Sequence, residues 1–232
     1  MVFTKQTLWS ALFCSAILLL NACAVSPGSS PTAPQGSEAT ANADGELGTE
    51  SVEEAPRIIR PNPYLQNLPT ISRDVQTNFD LGLAAMELEN WNEAELIFQE
   101  LTVTEPQLSG PWVNLGIIHY QKENFDAAEN AWNTAIDVNP LNTDAYNQLA
   151  ILKREQGDFA SAERFYLNSL AKWPDNPEAH CNLGILYDLY MGLWSRALTE
   201  YQECADLTEE PSRQLRGWII DMERRIQSQA TE

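Results

Sequence analysis

Beyond residue 60 the apolar positions follow two periods at once. Within segments they recur at helical spacing, and across segments they recur every 34 residues. Leu81, Leu115, Leu149 and Leu183 carry the longer period, each followed by a small residue: Gly82, Gly116, Ala150 and Gly184. Ala94, Ala128 and Ala162 keep the spacing, as do the aromatics Phe98, Trp132 and Tyr166 and the prolines Pro106, Pro140 and Pro174. Trp91, Phe125 and Phe159 mark turns, each preceded by turn formers at Asn90, Asn124 and Gly157-Asp158. Each unit therefore reads as a helix, a tight turn, a second helix and a proline that ends it, since proline cannot donate the helical hydrogen bond. Small residues let the two helices approach, and the aromatic of the second helix fills the space toward the next unit. One hairpin cannot bury its apolar face alone, so the units stack. The fourth unit has one extra residue between Tyr187 and Gly192, which predicts a distorted hairpin turn there. After Pro211, Leu215, Trp218, Ile219, Met222 and Ile226 lie on one helical face, and residues 211–228 read as a helix covering the last hairpin.

The N-terminal pattern is different. Lys5 precedes an apolar run of 13 residues, Leu8 to Leu20. A membrane span needs about 20 residues, so the run fits the apolar region of a secretory signal instead. It ends in Leu20-Asn21-Ala22-Cys23, which resembles the bacterial lipobox, with Asn21 a less usual residue at its place. That resemblance implies a signal peptide over 1–22 and lipidation of Cys23, whose acyl chains would anchor the protein to a membrane. Ala24, where an Asp would signal inner-membrane retention, implies the outer membrane of a Gram-negative bacterium, facing the periplasm. Residues 23–60 are rich in Pro, Ala, Ser, Gly, Thr and Glu and poor in apolar side chains, so they read as a disordered linker. A flexible chain of that length has a mean reach of about 33 Å. In the pre-repeat segment 61–74, Pro61, Pro63 and Pro69 stiffen the approach, and Tyr64, Leu65 and Leu68 are expected to pack on the first helix.

The repeating residues resemble the tetratricopeptide repeat family over 75–210, four repeats. The second repeat is the nearest to the family pattern, with Trp112, Leu115, Gly116, Tyr120, Ala128, Trp132, Ala135 and Pro140 of the types it wants. Asn78, Ala150 and Lys153 depart from it. The resemblance implies an all-α fold, a right-handed superhelix of about four hairpins with the C-terminal capping helix, and a concave groove lined by the first helix of each hairpin. The residues expected to project there are Phe79, Leu83, Met86, Val113, Asn114, Ile117, Tyr120, Asn147, Gln148, Ile151, Arg154, Asn182, Ile185 and Asp188. The strip is apolar with interleaved carboxamides, and a carboxamide both donates to and accepts from a peptide backbone. The cationic clamp that chaperone-binding members use for a C-terminal carboxylate is missing, which argues against a chaperone adaptor. The groove could instead be filled by the protein itself, by segment 61–74 or by a second copy.

Charge and chemistry narrow the function further. Thirty-three acidic residues face 14 basic ones, a net charge of -19 that repels nucleic acid and anionic lipid. Of the two histidines, His119 reads as half-buried on its first helix and His180 as a packing residue at the aromatic position of Trp112 and Tyr146, and His180 with Cys181 makes a poor dyad because helical neighbours diverge. No metal-ligand spacing and no phosphate loop occurs, so neither a catalytic residue, a metal nor a cofactor is expected. Cys181 and Cys204 lie on the two helices of one hairpin, near its open end, and are expected as buried free thiols, with a disulfide as the alternative. The leading expectation is a membrane-tethered scaffold, not an enzyme, that binds a protein or peptide partner and supports a pilus, secretion or cell-wall complex. The alternative is an accessory subunit of an envelope energy-transducing transport complex.

Overall fold

A computed structural model describes residues 57–231. The expected signal peptide, Cys23 and the linker as far as residue 56 lie outside the described residues. Those described form ten α-helices: α1 Pro63–Gln66, α2 Arg73–Glu87, α3 Trp91–Thr104, α4 Ser109–Gln121, α5 Phe125–Val138, α6 Thr143–Glu155, α7 Phe159–Lys172, α8 Pro177–Ile185, α9 Trp194–Asp206 and α10 Arg213–Gln229. Helices α2 to α9 make four antiparallel hairpins, each stacked on the next, and α10 packs on α9. Side-chain caps start many of them: Ser72, Asn142, Asp158, Asn176 and Ser212 each accept a backbone N–H of the first turn.

Every hairpin turn contains one residue in the left-handed region, Glu89, Glu123, Gly157 and Gly192. The first three are 34 apart and the last is 35 further on, so the extra residue of the fourth repeat is spent before the turn. It is absorbed as a π-helical turn, Leu186–Tyr190, in which the Met191 N–H reaches the Leu186 carbonyl. The expected turn distortion is thus a wider helix end. It leaves Leu186 and Tyr187 fully buried.

The core is organised around rings set on small residues. A Cβ built on Gly82 would lie 2.7 Å from the Phe98 ring, on Gly116 2.2 Å from Trp132, and on Gly184 2.6 Å from Tyr201. In the third hairpin Ala150 and Tyr166 are both fully buried. Trp132 is held in place by its indole N–H, which donates to the Val113 carbonyl at 3.1 Å. At the C-terminal end Leu215 and Met222 of α10 are buried, and Trp218 stacks on Tyr201 with ring centroids 5.3 Å apart.

Three expectations are corrected. Cys181 and Cys204 are joined by a disulfide, with Cα atoms 5.3 Å apart, because the two helices of the fourth hairpin bring them face to face. Leu65 and Leu68 are exposed, because the four-residue α1 presents only Tyr64 to the array. His180 is more than a packing residue: Nδ1 lies 2.7 Å from Glu200 Oε2 and Nε2 2.9 Å from the Pro174 carbonyl. A carbonyl and a carboxylate only accept, so this geometry favours the imidazolium.

Two tests follow from the packing. Gly116→Ala adds a better helix former, worth about 1 kcal/mol by propensity. It nevertheless places a methyl inside the Trp132 ring and should destabilise by about 1–3 kcal/mol in chemical denaturation. For His180, burial alone would lower the pKa, but the bonds to Glu200 and Pro174 and the charges of Glu200 and Glu203 outweigh it and hold the group above 6.5. A raised folded-state pKa stabilises fully below 6.5 and the contribution fades as pH rises through the folded value. The melting-temperature difference between wild type and His180→Phe should therefore shrink as pH rises from acid toward the alkaline side.

Candidate functional site

The first helices of the hairpins lie on the inside of the curve. α4 touches α6 and α6 touches α8, and no comparable contact joins the second helices. Their inner face is the candidate site, and the residues expected there divide into two groups. Phe79, Met86, Val113, Asn114 and Asn147 are buried. Phe79 packs edge-on against Phe98, and Met86 and Val113 belong to the hairpin cores, so these three shape the floor and do not project. Leu83, Ile117, Tyr120, Gln148, Ile151, Arg154, Asn182, Ile185 and Asp188 are half-buried.

The carboxamides are the distinctive chemistry. Asn114 Nδ2 donates to the Gly110 carbonyl at 3.0 Å, while its Oδ1 has no partner. Asn147 is 1% exposed, and neither its Oδ1 nor its Nδ2 has a partner. An unpaired buried polar group costs about 1–3 kcal/mol, and this one presents both a donor and an acceptor. Toward the helix C-termini the face is more crowded. The Tyr120 ring packs on Phe125 and Trp132 and its hydroxyl meets Glu155. Arg154 lies over the Tyr190 ring, 5.7 Å from its centroid, and its Nε is unpartnered. Asp188 is approached by Arg225 of α10 at 3.8 Å and by the Tyr201 hydroxyl at 3.5 Å.

Sequence reasoning missed the acidic edge. Asp144 and Glu178 stand at equivalent places in the first turns of α6 and α8, and Asp144 lies one turn before Asn147. Burial pushes the Asp144 carboxyl up to about 6 and, with the nearby charge of Asp144, the Glu178 carboxyl up to about 7. The 34-residue spacing of this pair was a visible signal. A strap formed by residues 58–67 borders the same edge. Tyr64 is buried there, with its hydroxyl over Gly110 and accepting from Ser109 Oγ at 3.3 Å. Further back, Arg60 donates to the buried Asp175 from its backbone N–H at 2.6 Å, from Nε at 2.8 Å and from Nη2 at 2.8 Å, while Trp173 Nε1–H donates to the Arg60 carbonyl at 2.8 Å. Residue 60, expected as the end of a free linker, is a fixed point. Segment 61–74, expected as a possible filling of the groove, contributes Tyr64 to its edge.

Among the described residues no group of three or more His, Cys, Asp or Glu is placed to hold a metal ion, and no helix is long and apolar enough to cross a membrane.

Residues 113–177 and 147–206 match the tetratricopeptide repeat family model. No curated protein matches the chain. Solved structures show the same fold. Pseudomonas aeruginosa pilF is 15% identical, aligns over 66% of this chain and 69% of its own, and has a TM-score of 0.59. A thermophilic tetratricopeptide repeat protein of Thermus thermophilus is 22% identical over 65% of this chain and 81% of its own, with a TM-score of 0.56. MamA from residue 41 to its end, of Desulfovibrio magneticus RS-1, is 15% identical over 70% and 90%, with a TM-score of 0.55. At these identities the structures speak to the fold alone. The family model covers residues 113–206, and the first hairpin, ahead of that match, repeats the same helical unit. A fold of that kind points to a protein-binding scaffold.

The strap is testable apart from any partner. Asp175→Ala should raise hydrogen exchange of residues 58–66 more than that of the helical cores, because it releases all three Arg60 bonds and Arg60 is largely in solvent.

Proposed function

We propose that the protein is a membrane-tethered scaffold of the bacterial envelope that captures a peptide segment of a partner on the inner face of its repeats, and so recruits or stabilises a larger membrane-associated assembly. The observation that carries the capture is Asn147, buried with both polar atoms unpartnered, beside Asn114 with a free Oδ1. These atoms lie out of reach of solvent, so a backbone amide would satisfy them by wedging between inner helices that part to admit it, and the half-buried Ile117, Ile151 and Ile185 offer apolar seats for its side chains. The tether rests on the N-terminal sequence: the short apolar run, Cys23 at its end and the linker after it. The Cys181–Cys204 disulfide supports an oxidising compartment such as the periplasm. The assembly served is, in this reading, a pilus, secretion or cell-wall complex reached from the periplasmic side of the outer membrane.

The test is affinity capture from gently solubilised membranes, with the full-length protein as bait. Asn147→Ala removes an unsatisfied polar group from the free protein, so its melting temperature should hold or rise. Capture should nonetheless weaken by about 1–3 kcal/mol, roughly 5- to 150-fold in affinity. Capture that is unchanged moves the site off the inner face. Cys23→Ser should lose palmitate labelling and leave the membrane fraction or accumulate as precursor; a labelled band in that variant removes the anchor from the reading.

A further inference from the structure

The first hairpin carries an apolar surface at positions where the later hairpins are covered or polar. Leu81 is 54% exposed, whereas its counterparts Leu115, Leu149 and Leu183 are buried where each later hairpin packs on the one before. Leu88 is 73% exposed, and its counterparts are Lys122 and Gln156. On α3, Leu96 and Val103 are 68% and 80% exposed, where the next hairpins have Asn130 and Arg164, and Asp137 and Ala171. Lys122 shows where this end of the array points: it reaches back to Glu95 on the second helix of the preceding hairpin. Leu81 and Leu88 therefore face the place where a preceding second helix would stand. The repeat itself defines the shape of what fits there, which is a helix lying along α2.

Charge selects among the occupants. Residues 73–104 carry seven carboxylates and one arginine, so a second copy would bring its own acidic hairpin against this one. The stretch 24–56 carries six carboxylates and no lysine or arginine, so the protein's own linker is repelled as well. Beside Leu88 the turn forms a shallow hollow lined by Glu89, Asn90, Trp91, Asn92 and Glu93 and by Lys122 of the second hairpin; the Lys122 ammonium is taken by Glu95, so Glu89 and Glu93 leave the hollow acidic toward a cationic side chain. The opposite end of the array is closed by α10, so it offers no matching seat for head-to-tail stacking.

We propose that the open end of the first hairpin docks an amphipathic helix of another protein, with its apolar stripe on Leu81 and Leu88 and lysines or arginines beside Glu89 and Glu93. This surface is separate from the inner face, and it stands or falls without Asn147.

The test places a photo-reactive benzoylphenylalanine at position 81, at position 88 and, as a control, at position 130 of the full-length protein in the producing cell. Melting temperatures of the three variants confirm that they fold, as exposed positions should allow. The expected result is an adduct at 81 and 88 but not at 130, joined to a foreign segment with apolar residues at helical spacing and lysine or arginine flanks. Glu89→Lys with Glu93→Lys should then lower the adduct yield about tenfold. An adduct with a second copy, a foreign segment without basic flanks, a yield indifferent to the charge reversal, or no adduct at either position would each overturn the proposal.

Discussion

The array depends on one contact made repeatedly, an aromatic ring of the second helix laid where the first helix has no side chain. At Gly82, Gly116 and Gly184 the ring occupies the volume a methyl would need. That sets how closely the helices of a hairpin approach, and it leaves the outer surface of the ring to be covered by the next hairpin. Dispersion over a full ring is collectively large, so one such contact fixes two interfaces. The third hairpin meets the same demand with Ala150 opposite Tyr166, which shows that smallness is needed and that glycine is needed only where the ring comes closest. The curvature that brings α4, α6 and α8 together on the inner side follows from this spacing.

A second set of contacts runs along the edge where the first helices begin. Asn142 donates to Ser109, Asn176 to Ser169, and Ser169 to the Thr143 carbonyl, so the junctions between hairpins are tied by buried polar side chains and not by apolar packing alone. The strap uses the same edge. Its chain meets Asp175, at the junction of the third and fourth hairpins, before it meets Gly110 and long before it becomes α2. A pull on the chain ahead of Arg60 would therefore load the Arg60–Asp175 bonds and the Trp173 hydrogen bond before it reached the first hairpin.

The repeat was legible in the sequence because its determinants are local and periodic: a leucine and a small residue, an alanine, an aromatic, a proline. The capping helix was legible for the same reason, through one apolar face. The features that escaped are those set by contacts between distant residues. Nothing near Arg60 points to Asp175, and the partner of His180 is Glu200 on the following helix, so both pairings appear only once the hairpins are stacked. The disulfide was open in the sequence because spacing alone does not fix the distance between two helices at one level. In the fourth repeat the extra residue could be counted but not placed, since a π-turn and a longer turn consume it equally well. Among the candidate groove residues, Phe79, Met86 and Val113 were read by helical register as facing inward. Register cannot tell a side chain that projects from one turned into the hairpin core.

The stability of such an array is close to a sum over hairpins and the interfaces between them. An interior hairpin has two neighbours. The last one has α10 in place of the second, and the first has only α4 and α5 on one side and the strap at its edge. The first hairpin is therefore the least supported unit, and it also carries left-handed Glu89 in its turn, a conformation that costs a residue with a side chain about 1–2 kcal/mol. Evolution of a free-standing domain would favour polar residues on its outer surfaces, as at Lys122 and Gln156, the equivalents of Leu88, and at Asn130 and Arg164, the equivalents of Leu96. Leucines there add nothing to the isolated fold and expose the chain to association. Their presence makes sense where the missing neighbour comes from outside. The same logic applies to the inner face, where Asn147 has both polar atoms unpartnered and would gain from hydrogen bonds supplied from elsewhere. Both places carry a local cost that an external contact would remove.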